Sequence, residues 1–120
     1  LDTVINTAKN VVREADLLGV TPTPITGRLA EEALAGVENL AAAFDVLLDD
    51  PDAATARADA ATKCGRHMEK LYVRGIQEIA SLPDFHDALP MREHYQRCLR
   101  IGECIEMVAD RIWYAVVKEA

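Results

Sequence analysis

Apolar residues recur at intervals of three and four along nearly the whole chain, the period of an amphipathic α-helix rather than of a strand. Val4, Ile5, Ala8, Val11, Val12 and Ala15 predict a first helix from about Leu1 to Leu18 that stops at Gly19. Thr21-Pro22-Thr23-Pro24 then makes a stiff connector, because each proline disfavours helix in the residue before it. A second helix is predicted from Ile25 or Thr26 to Asp49-Asp50, with Leu29, Ala33, Val37, Leu40, Phe44 and Leu47 on one stripe. Pro51 opens the next element, where its missing N–H costs nothing. The third helix runs from about Asp52 to Ser81, with Ala54, Ala58, Ala61, Gly65, Met68, Tyr72, Ile76 and Ile79 facing inward, and Leu82-Pro83-Asp84 closes it. A short link through Phe85 and Leu89 reaches Pro90. Beyond it Met91, Tyr95, Cys98, Gly102, Ile105, Ala109, Ile112 and Val116 mark the seam of a fourth helix.

Short connections force neighbouring helices to run antiparallel, so the fold class is all-α, an antiparallel up-and-down helical bundle of three long helices preceded by the end of another. Gly65, Gly102 and Ala109 lie on the seams of the last two helices and should let them approach closely. The chain has 120 residues, half of them hydrophobic and few aromatic, which suits a single helical domain 1–120. The pattern begins in mid-helix at Leu1 with no N-cap before it, so we expect the chain to be the C-terminal part of a longer protein.

Charge narrows the function. Twenty acidic residues against thirteen basic ones give a net charge of −7, and no run of Lys or Arg offers a footprint for nucleic acid. The same balance disfavours direct binding to anionic lipid and suits cationic partners or metal ions. No apolar stretch approaches the ~20 residues that span a bilayer, and no secretion signal opens the chain, so a cytoplasmic location is expected. Cys64, Cys98 and Cys104 are odd in number and lack paired metal-ligand spacing, which reads as small core or boundary residues in a reducing compartment.

Candidate chemistry is concentrated on the last helix, where Glu103, Glu106 and Asp110 follow at spacings of three and four on one strip beside the seam. Like charges at that spacing repel, so something cationic is expected opposite them. Carboxylates converging from several helices are how a bundle holds iron, manganese, zinc or magnesium. The other reading is a solvated acidic face with Arg100, Arg111 and Lys118 nearby. Asp2, Glu69 and the heptad-spaced Glu31, Glu38 and Asp45 are further acids that could join, whereas Asp45 and Asp49 read as exposed. None of His67, His86 and His94 follows a Glu by three residues, so the ferritin-like di-iron pattern is absent. His67 shares a stripe with Lys63, Lys70 and Arg74, a basic face. No spacing places a histidine beside a cysteine, and no phosphate loop or serine elbow is present, so no catalytic residue is assigned. Trp113 and Tyr114 read as half-buried residues at the bundle end.

These residues resemble the PhoU-like group of phosphate-transport regulators, in particular the accessory proteins of inorganic phosphate permeases. Glu103 to Ile112 is similar to that family's final helix, Leu1 to Asn6 to its acidic opening segment, and Met68-Glu69-Lys70-Leu71-Tyr72 to its Ala-Asp-x-x-Tyr stretch. The resemblance implies two similar three-helix units with carboxylate motifs that bind metal in some members, this chain holding the end of the first unit and all of the second. Gly65 and Leu99 stand where the pattern has its leading glutamates, so the implied metal set is Asp2, Glu69, Glu103 and Glu106, with Asp110 as an additional acid. It further implies a non-catalytic regulator partnered by a phosphate permease or a related regulatory protein, a homo-oligomer, meeting the membrane only through that partner. The alternative is a metal-free helical interaction or oligomerisation module.

Overall fold

The computed structural model describes residues 6, 9, 10, 13 and 23–119, with the backbone alone for residues 85–87 and 119. The predicted first helix, and Asp2 with it, therefore lies almost wholly outside the described residues. The rest is all-α. Helix α1 spans Pro24–Val46, α2 Pro51–Ala80 and α3 Phe85–Glu119. Each of the first two begins as its sequence dictates: Thr23 caps α1 by accepting from the Thr26 N–H at 3.2 Å, and Asp50 caps α2 by accepting from the Ala53 N–H at 3.1 Å. A proline occupies the first position of both, where no N–H is needed.

Contacts fix the directions. Gly36 of α1 lies against Cys64 of α2 and Ile105 of α3, and Asn39 accepts from Arg57 of α2. Gly65 meets Gly102 and Glu106, while Gly75 meets Tyr95. Positions on α2 thus rise as their partners on α1 and α3 fall, so α2 runs antiparallel to both neighbours, as an up-and-down bundle requires. The whole measures 55 × 24 × 19 Å. The core is built from Leu29, Leu40 and Ala43 of α1, Ala54, Ala58, Ala61, Met68 and Leu71 of α2, and Tyr95, Ile101, Ile105, Ala109 and Ile112 of α3.

Close approach of α2 and α3 follows from glycine. A Cβ built on Gly65 would stand 2.9 Å from the Gly102 carbonyl oxygen, and one on Gly102 would stand 3.2 Å from the Met68 Cβ. Neither helix could come this near with a side chain at those positions.

Four expectations need correction. The link predicted through Phe85 and Leu89 is helix: the Ala88 N–H bonds the Asp84 carbonyl at 3.2 Å, and α3 continues through Pro90. Pro90 lies early enough in the helix that it removes one backbone bond near the start, where orphan N–H groups already abound, and the later seam holds the helix on. On α1, Phe44 faces outward and the buried positions are Ile25, Leu29, Gly36, Leu40 and Ala43, because Ala43 falls one residue nearer the centre of the inward stripe. Helix α1 also ends at Val46, with Leu47–Asp49 forming a turn, sooner than the acidic pair that the sequence suggested. Trp113, 49% exposed, is half-buried as expected, whereas Tyr114 at 62% is more open.

Candidate functional site

Glu69 on α2, exposed, and Glu106 on α3, half-buried, lie close enough across the glycine seam for their carboxyl groups to act on each other. The contact depends on Gly65: a Cβ there would come within 2.6 Å of Glu106 Cγ. Gly65 has no side chain, and Glu106 of the opposite helix lies over its backbone. Two neighbouring carboxylates ionise together less cheaply than isolated ones, which favours the protonated form of Glu106. Burial first, then the neighbouring Glu69 carboxyl, push Glu106 up to about 7, with Asp110 adding to the rise and Arg66 opposing it.

The five sequence candidates thus divide. Glu69 and Glu106 are brought together and Asp110 lies near enough to act on the pair. Glu103 is exposed on α3, and Asp2 lies outside the described residues. Among the described residues no three His, Cys, Asp or Glu side chains converge closely enough to hold a metal ion. Two neighbouring carboxylates are half of a hard-cation site; a cation would have to compete with protonation of Glu106 and find a third oxygen.

The basic stripe of α2 turns toward α1. Arg28, His67, Lys70 and Arg74 border an open groove, yet Glu31 and Glu32 border it too, and His67 Nδ1 sits 3.4 Å from Glu32 Oε1. Charge along this groove is largely balanced, so it offers no concentrated field for an anion.

The sequence reading missed one pair. His94 lies four residues before Cys98 on α3, a spacing that stacks side chains, and its Nε2 is 3.8 Å from the Cys98 thiol. Both are buried. Burial raises the Cys98 thiol to about 11 and lowers the His94 pKa, with the Arg97 charge lowering it further. An activated nucleophile needs the reverse, a thiolate beside an imidazolium. Cys64 is also shifted away from reactivity, by burial first and by the neighbouring Glu32 carboxylate second. No helix among the described residues is long and apolar enough to cross a membrane. Comparison of the chain with protein-family models, with curated proteins and with solved structures finds no match in any of the three.

Proposed function

We propose that this chain is a non-catalytic regulatory or accessory module of the PhoU-like kind, acting in the cytoplasm beside a phosphate permease or a related regulatory protein. The observation that carries the reading is the Glu69–Glu106 pair on the glycine seam. It sits at positions the resemblance marks as acidic, in an all-α bundle whose buried Cys98 thiol and His94 imidazole are tuned away from nucleophilic work. In this reading the pair answers to protons or to a divalent or ferric ion, and Asp110 and Asp2 supply further oxygen ligands when a cation binds. The response alters how firmly α2 and α3 are clamped, which is a signal a partner can read through contact.

Metal analysis of the purified chain and thermal melts at pH 8 test the site. Iron, manganese, zinc or magnesium is expected to raise the melting temperature of the natural sequence and to leave Glu106→Gln unmoved. A chain that holds no metal, melts identically with and without each ion, and self-associates with increasing concentration would instead favour the metal-free oligomerisation module.

A further inference from the structure

Helix α1 carries a second apolar lane that the other described helices leave uncovered. Leu34, Val37, Ala41 and Phe44 recur at intervals of three, four and three, and Leu48 in the following turn extends them by four. Leu34 is 61% exposed, Phe44 45% and Leu48 93%, and Val37 touches the core only at its edge. At about 100° per residue this lane lies about a third of a turn to one side of the buried positions Leu29, Gly36, Leu40 and Ala43. Single exposed apolar residues are ordinary on any protein. A lane in heptad register over about 20 Å is the pattern by which one helix receives another.

Beside that lane, on its solvent side, run Glu31, Glu38 and Asp45 at intervals of seven, all exposed, with Glu31 also bordering the groove shared with α2. In coiled-coil terms they occupy the flanking position next to each seam residue, where a partner's charges are read. The opposite flank is formed by Ala33, Leu40 and Leu47, which belong to the core and its edge. The face is therefore apolar with one wholly acidic border.

We propose that this face of α1 is a docking surface for a cationic amphipathic helix of another protein, its apolar stripe covering Leu34, Val37, Ala41 and Phe44 and its Lys or Arg side chains pairing with Glu31, Glu38 and Asp45. Charge decides the occupant. A second copy set antiparallel on this face would bring one acidic border against the other, and a parallel copy would leave the border facing apolar residues, in molecules that each carry −7. An anionic lipid surface is repelled by the same border. This inference does not depend on a role in phosphate transport, nor on cation binding at Glu69 and Glu106, which lie on the α2–α3 seam.

The test uses the full chain and fluorescein-labelled synthetic helices of about three heptads with Leu on the seam. One helix has Lys flanking, one has Glu flanking, and one contains the Lys composition in scrambled order. Anisotropy is expected to show binding of the Lys helix alone, weakening as salt rises. On the order of tenfold loss is expected for Leu34→Ser with Phe44→Ser, and for Glu38→Lys with Asp45→Lys. These positions are exposed, so far-UV circular dichroism should show unchanged helicity in both variants. Equal binding of the scrambled helix, or indifference to the Ser substitutions, would overturn the proposal. So would a concentration-dependent dimer of the natural chain that Phe44→Ser abolishes, which would assign the face to a second copy, or binding to anionic vesicles lost in the same variant.

Discussion

A glutamate pressed against another carboxyl keeps its proton long after an isolated one has lost it, and Glu106 does so up to about pH 7 against an ordinary value of 4.5. Across that interval the folded chain binds more protons at this site than the unfolded chain. The stability contributed by the protonated group is therefore complete below about pH 4.5 and is lost as pH rises through 7. Gln keeps the hydrogen-bonding shape without the charge. The melting-temperature advantage of Glu106→Gln over the natural chain should grow from pH 4.5 to 7 and level off above, in buffers free of divalent ions. His94 works in the opposite sense. Its lowered pKa means that the neutral ring is favoured by folding, so its contribution is complete above about pH 6.5 and is lost as pH falls below it. His94 Nδ1 is buried without a hydrogen-bond partner among the described residues, so an apolar replacement removes a polar group and leaves no strong bond broken. His94→Leu is expected to keep or raise the melting temperature at pH 7 and to lessen the fall between pH 6.5 and 5.

Within the elements, glycine separates two roles that look alike in the sequence. Gly27 sits in the first turns of α1 with nothing within 4 Å of a built Cβ. Gly27→Ala should therefore stabilise by ~0.5–1 kcal/mol through helix propensity alone. Gly65→Ala meets the Gly102 backbone oxygen at 2.9 Å, which cannot yield as a side-chain tip can. Overpacking of this kind costs about 1–3 kcal/mol, and it should also drive Glu106 off Glu69. Chemical denaturation of the two variants, with the pH profile of Gly65→Ala, checks both outcomes. The seams of α2 and α3 were legible because small and branched residues at three- and four-residue spacing leave few alternatives. The start of α3 was not, because Pro90 outweighs its neighbours in a local reading and only the downstream seam reveals that the helix continues. The candidate site was half legible. Spacing put Glu103, Glu106 and Asp110 on one strip, but which of them turns inward depends on the gap left by Gly65 on another helix. The four-residue spacing of His94 and Cys98 is present in the sequence, but spacing alone does not show that both side chains turn into the core.

At the scale of the whole molecule one side chain joins all three helices. Tyr95 of α3 is 1% exposed, its ring lies 2.7 Å from where a Gly75 Cβ would stand on α2, and its hydroxyl is 2.8 Å from Thr23 Oγ1 at the cap of α1. Tyr95→Phe removes only the hydroxyl. Thr23 keeps Thr26 as a partner, so the expected cost is about 0.5–1.5 kcal/mol. Tyr95→Ala also opens a cavity where the three helices meet and should cost about 3–5 kcal/mol. The single tryptophan, Trp113, lies eighteen residues further along α3, about 27 Å away, and is half exposed. It reports on the opposite end of the rod. If the bundle unfolds as one unit, both substitutions shift the Trp113 fluorescence transition and the far-UV circular dichroism transition in urea by the same amount, although neither touches the tryptophan. Transitions that separate, with Trp113 indifferent to Tyr95, would mean that the two ends fold independently. A change in the clamp between Glu69 and Glu106 could then not be felt along the full length of α3, which the regulatory reading requires.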